Sequence, residues 1–270
     1  MTATTPPLPA VISCRRDFRC ESRASMLSLS GLEKRFGDLL VFSGFDLELP
    51  VGGFTVMVGP SGCGKTTLLD VLTGVVAPQA GTIQWTGQTM AHLGQAAAYM
   101  QQNDLLLPWL SLLENALLPA TVSGRDDDRC RLEACALFEL FGLAGFEGYL
   151  PRAVSGGMRQ RCALVRTLMF NRDLVLLDEP LSALDAITRR SLQSQLLLLQ
   201  SQFGKTVLMI THDVDEALLL ADTVVVLSGR PMRIVWEIEV GVPKPRPLDH
   251  PDLISLKASI LDELQKEAQP

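Results

Sequence analysis

Nine consecutive residues, Gly59, Pro60, Ser61, Gly62, Cys63, Gly64, Lys65, Thr66 and Thr67, constrain this chain more than any other stretch. They follow an apolar run over residues 54–58 that reads as a buried strand, and they precede a Leu-rich segment with helical spacing. Strand, glycine-rich loop and helix in that order form a phosphate-binding loop. The three glycines permit backbone angles and close approaches that a Cβ would forbid. Successive N–H groups then point at an anion, and the helix N-terminus adds partial positive charge. Lys65 brings a full charge for the β- and γ-phosphates, and the Thr66 hydroxyl is placed to ligate Mg²⁺. The stretch predicts binding of a nucleoside triphosphate.

With 270 residues the chain can bury a sizeable core, as one large domain or a domain with a subdomain. A net charge of −6 and an isoelectric point near 5.2 argue against a nucleic-acid partner. Hydrophobic residues make up 47% of the chain and mean hydropathy is +0.22. No run of about 18 apolar residues lacks a charge or a proline, so no transmembrane helix is predicted. The apolar excess is expected in buried parallel strands and in a surface that docks on another protein. Cys14, Cys20, Cys63, Cys130, Cys135 and Cys162 contain no CxxC pair and no Cys/His metal spacing, and read as free thiols of a reducing cytosol. Cys63, inside the loop, is expected to be open to alkylation with loss of activity.

Residues 1–25 have no apolar core of signal-peptide length and are expected to be a disordered extension, with Met26 as the alternative start. Short alternating strands follow to Leu49, with turns expected at Gly37-Asp38 and Ser43-Gly44 and with one aromatic, Phe36, placed to stack on a base. Residues 82–86 and 96–100 read as strands. Gln101 and Gln102 come next, then an apolar segment, Leu105-Leu-Leu-Pro-Trp109, which is either core or a socket for a partner. Residues 110–150 are helical in spacing, and Asp126 to Asp128 suit a solvated helix start. Ser155 is a plausible N-cap, and Gly156 and Gly157 leave N–H groups open for a second phosphate surface.

Residues 174–177 form an apolar strand ending in Asp178 and Glu179, at the edge where open α/β sheets place ligands. One carboxylate can hold Mg²⁺ while the next polarises an attacking water. A helix over 187–203, a strand over 207–210 ending at His212, and a strand over 223–227 complete the pattern. From about residue 235 a tail is expected, with an amphipathic helix over 251–267 packing back through Leu253, Leu256, Ile260, Leu261 and Leu264.

These motifs together resemble the ATPase subunit of an ATP-binding cassette (ABC) transporter over residues 26–227. Ser155-Gly156-Gly157-Met-Arg-Gln ahead of the Asp178-Glu179 strand carries the resemblance, with Val154 where Leu is usual. The resemblance implies an α/β phosphate-loop NTPase fold with a mostly parallel central sheet, a small antiparallel β subdomain and a helical subdomain at about residues 100–170. It implies an ATPase domain over 26–235 and a tail over 236–270. It also assigns roles. Phe36 stacks on adenine, and Gln102 senses Mg²⁺ and water, with Gln101 one residue away. Asp178 coordinates Mg²⁺, Glu179 is the general base, and His212 contacts the γ-phosphate. Ser155, Gly156 and Gly157 bind ATP held by the other subunit of a head-to-tail homodimer, and Asp185 lies in the loop that communicates across it.

The resemblance implies that the chain sits peripherally at the cytoplasmic face of a bacterial inner membrane, with transmembrane permease subunits and, indirectly, a solute-binding protein as partners. Residues 105–109 are the candidate socket for a permease helix. Their Leu-Leu-Pro-Trp form is similar to the importer branch for nitrate, sulfonate, taurine and pyrimidine thiamine precursors. A soluble cassette ATPase acting on DNA or ribosomes is the competing reading. Gln102 and Ser155 lie 53 positions apart (155 − 102), too few for a coiled-coil insertion plus the helical subdomain. A nucleotide-binding scaffold without turnover is disfavoured by Lys65, Asp178, Glu179 and His212 being intact.

Overall fold

The computed structural model describes residues 14–15, 25–125, 127–182 and 184–267. The extension expected to be disordered lies outside these residues, apart from Ser25 and the two-residue strand β1 (Cys14–Arg15).

Two sheets share one layer of core. The smaller, wholly antiparallel sheet runs β3-β2-β5-β6, from β2 (Ser25–Phe36), β3 (Leu39–Pro50), β5 (Ala80–Trp85) and β6 (Gln88–Met90). β2 and β3 form one long hairpin about Gly37-Asp38. The second turn expected at Ser43-Gly44 is instead a bulge inside β3, where Gly44 takes φ +62. A Ser-Gly pair signals positive φ, and a bulge uses it as readily as a turn.

The larger sheet has the order β1-β11-β10-β4-β9-β8-β7. Its parallel part is β10 (Thr223–Leu227), β4 (Phe54–Val58), β9 (Thr206–Thr211), β8 (Leu174–Asp178) and β7 (Ala97–Met100). All of β4, β8 and β9 is buried, as strands covered on both faces must be. Alternate residues serve two cores. Met57, Leu176, Leu208 and Val225 face the small sheet and helix α1 (Lys65–Thr73). Val56, Val175, Met209 and Val224 face the helices on the other side. At roughly 1.5–3 kcal/mol per fully buried aliphatic side chain, these strands are the main anchor of the fold.

The tail boundary expected at residue 235 falls inside β11 (Ile234–Glu239), which pairs antiparallel with β10 and belongs to the central sheet. The alternating Trp236-Glu237-Ile238-Glu239 hides a half-covered strand near the sheet edge, and a neighbour found only after folding decides it. Beyond it, α7 (Pro251–Glu267) buries Leu253, Leu256 and Ile260 against the core, while Leu261 stays 40% exposed. A clasp precedes that helix: Asp222 accepts from the Phe54 amide at 2.9 Å and from Lys244 Nζ at 2.7 Å, and Arg246 donates to the Leu218 carbonyl at 3.0 Å.

Helices α2 (Leu112–Val122), α3 (Asp128–Leu140) and α4 (Gly156–Leu168) form a cluster on the outer side of β7 and β8. Each starts on a side-chain cap. Ser111 and Glu114 make a capping box, Asp127 caps through the Cys130 amide, and Ser155 accepts from the Met158 amide at 3.3 Å. Asp185 likewise caps α5 (Ala186–Ser201), and Asp213 caps α6 (Val214–Leu220).

Candidate functional site

The carboxyl ends of β7, β8, β9, β4 and β10 converge on one cavity of about 440 Å³. Its floor is the glycine loop between β4 and α1. Gly64 sits at φ +129, where a Cβ would come within 2.5 Å of Val41 Cγ1, so no larger residue fits. The stem of Lys65 is buried. Its ammonium donates to the carbonyls of Gly59 at 2.8 Å and Pro60 at 2.9 Å, so the loop is wrapped around its own cation. Ser61, Gly62, Gly64, Lys65, Thr66 and Thr67 line the cavity.

Cys63 does not. It is 2% exposed, packs into the core between the sheets, and burial pushes its thiol up despite the nearby Lys65. The alkylation expected from its place in the loop is overturned, because a thiolate is needed for attack and neither the anion nor a reagent is favoured there.

Asp178 and Glu179 are adjacent but part ways. Asp178 ends β8 inside the sheet at 1% exposure, and burial raises its carboxyl above the ordinary range although Thr66 hydrogen-bonds to it. Its Oδ2 has no hydrogen-bond partner. A buried carboxylate oxygen left over beside a threonine hydroxyl suits a hard divalent cation that prefers oxygen ligands, so these residues fit Mg²⁺. No cluster of three or more His, Cys, Asp or Glu that could hold a metal is found among the described residues. Glu179 leaves the strand at φ +46, a left-handed conformation costly for a residue with a Cβ. That turn aims its carboxylate into the cavity. Oε2 meets His212 Nδ1 at 3.2 Å and Gln102 Nε2 at 3.4 Å.

The structure also separates the two glutamines. Gln102 lines the cavity at the glycine loop, whereas Gln101 lines a second, mainly apolar groove of about 310 Å³ with Tyr99, Leu105, Pro119, Arg166 and Phe170. One loop thus borders both sites. Arginines of α4 hold it: Arg159 pairs with Asp104 at 3.0 Å and donates to the Val154 carbonyl, and Arg166 donates to the carbonyls of Asp104 and Leu105. The segment over 105–109 is divided. Leu106 is core, Leu105 opens to the groove, and Trp109 is 70% exposed without lining it.

Other expected residues stand apart from the cavity. Phe36 is 48% exposed, with Lys34 Nζ 4.6 Å above one face of its ring. Ser155, Gly156, Gly157 and Asp185 lie at the starts of α4 and α5 and do not line the cavity. Arg230 does line it, a residue that the sequence motifs do not single out.

A glycine loop closed on a lysine, an acid pair at the end of a parallel strand, and a side subdomain of helices define a phosphate-loop nucleotide hydrolase. Residues 42–182 match the model of the ABC transporter family. An aliphatic sulfonates import ATP-binding protein of Pseudomonas syringae pv. syringae is 40% identical over 90% of this chain and 97% of its own. One from Mesorhizobium japonicum is 38% identical over 98% and 95%. Among solved structures, the dimeric post-hydrolysis state of the ATP-binding cassette MJ0796 bound to ADP and phosphate superposes with a TM-score of 0.72 at 26% identity, over 80% of this chain and 99% of that one. The chain belongs to the ABC transporter family and is an ATP hydrolase of the cassette type.

Proposed function

We propose that this chain is the ATPase subunit of an importer for aliphatic sulfonates or a closely similar small organic anion. One observation carries the coupling: adjacent glutamines of one loop face different sites, Gln102 the nucleotide cavity and Gln101 the apolar groove. A permease helix seated against Leu105, Tyr99 and Phe170 would press on the loop that carries Gln102. The names of the relatives support the cargo, and the groove supports the membrane partner. No helix among the described residues is long and apolar enough to cross a membrane. On the importer reading, the chain sits peripherally at the cytoplasmic face.

In the proposed mechanism ATP lies along the glycine loop with its adenine on the open face of Phe36. Lys65 and the loop amides hold the phosphates. Thr66 and Asp178 would hold Mg²⁺, with Gln102 beside it; bound there, the ion neutralises phosphate charge. Glu179 takes the proton of the attacking water, and His212 holds that carboxylate and meets the γ-phosphate. Two chains pair head to tail, so that Ser155, Gly156 and Gly157 of one face the nucleotide of the other, with Asp185 at the junction.

The test is a strain lacking this chain, grown on an alkanesulfonate as sole sulfur source. Wild-type protein is expected to restore growth. Leu105→Glu should hydrolyse ATP in solution yet fail both to restore growth and to stay with permease-containing membranes. Growth of the deletion strain without complementation refutes the cargo, and normal membrane retention of Leu105→Glu refutes the socket.

A further inference from the structure

We propose that Arg230 is a phosphate-binding residue of the nucleotide site, a second cation placed across the glycine loop from His212. The inference rests on the reading of this cavity as the triphosphate site. Topology delivers the residue. β10 lies beside β4 on the side away from β9, so the strand ends bring Arg230 to one flank of the loop and His212, Glu179 and Gln102 to the other.

The approach is close. Arg230 Nη2 stands 3.7 Å from the point where a Cβ on Gly62 would project, and its charge reaches the Cys63 thiol next in the loop. Its backbone is held by a braced turn. The Met232 amide donates to the Val41 carbonyl at 2.7 Å, the Arg233 amide to Ser228 Oγ at 3.0 Å, and Ser228 Oγ to the Pro231 carbonyl at 3.2 Å. Gly59, at the loop's start, presses on Leu227, where a Cβ would come within 2.8 Å of Leu227 Cβ. Hairpin and loop therefore form one packed unit.

The charge arrangement favours an anion as the ligand. Among the described residues no carboxylate pairs with Arg230, and Lys65 is bound to two carbonyls of its own loop. A guanidinium on the cavity wall offers a planar fork of donors that matches phosphate oxygens.

Binding of ATP and of adenosine, read by displacement of a fluorescent nucleotide from wild type, Arg230→Ala, Arg230→Lys and Lys65→Ala, tests this. Arg230→Ala should weaken ATP roughly tenfold, as expected for one charge-assisted bond, and flatten the salt dependence. Adenosine affinity should hold, and Arg230→Lys should recover part of the loss. An ATP Kd within about twofold of wild type overturns the proposal, as does adenosine weakening in step with ATP, which makes the residue merely structural. If Lys65→Ala binds ATP as wild type does, the cavity assignment fails and the proposal with it. An unchanged Arg230→Ala beside a weakened Lys65→Ala overturns the proposal alone.

Discussion

Replacing Glu179 with glutamine isolates proton abstraction from everything else the residue does. The two side chains share shape, and glutamine keeps an oxygen for the contact to Gln102 that now spans 3.4 Å. The backbone at φ +46 is as costly for one as for the other, so the thermal midpoint should barely move. What is lost is a base. General-base catalysis is worth roughly 10²–10⁴-fold, or about 3–5 kcal/mol of barrier. ATP affinity should persist, because Glu179 lies above the phosphate loop rather than in it.

His212 sharpens the prediction. Its Nδ1 lies 3.2 Å from the Glu179 carboxylate, so part of its effect passes through that group. The assay is steady-state phosphate release at saturating ATP for Glu179→Gln, His212→Ala and the double variant. Two residues that act as a unit give a double variant little slower than the worse single one. A Glu179→Gln rate within about tenfold of wild type refutes the base assignment, and fully additive losses refute the coupling.

Asp178→Asn should abolish the difference in ATP affinity between Mg²⁺ and chelator, measured by equilibrium binding, because the buried oxygen that suits the ion becomes part of a neutral amide. Burial pushes the Asp222 carboxyl up, but Lys244, the Phe54 amide and Gln200 together hold it below its ordinary 3.8. The stability this supplies is complete above that value and is lost as pH falls through the folded-state pKa. Asp222→Asn should therefore cost about 1–2 kcal/mol near neutrality, at the low end because the side chain is 37% exposed, and the gap between the denaturation midpoints should close in acid. Leu256→Ala on α7, at 1% exposure, should lower unfolding free energy by roughly 2–5 kcal/mol in urea titrations while leaving ATP affinity intact.

Much of the fold was legible because the decisive strands are buried on both faces and the loop chemistry is local. The apolar runs at 54–58 and 223–227 become β4 and β10 with the same ends. Ser155 and Asp127 cap helices as their side chains dictate. What escaped depends on neighbours distant in sequence. Trp236 and Glu237 become a strand only beside β10, and Gly44 bends a strand that continues past it. Gln101 and Gln102 are chemically identical, and only the turn after β7 sends them to different cavities. Arg230 carries no motif, and its role hangs on how a hairpin folds back over Gly62.

The sulfur of Cys63 rests against hydrocarbon on the far side of the very loop proposed to grip the nucleotide. A chain whose other five cysteines are replaced would thus carry its own stopwatch. Maleimide can reach that thiol only while the segment lifts away from the sheet, so the labelling rate counts those excursions. A ligand that clamps the segment from above should slow the clock without ever touching the sulfur.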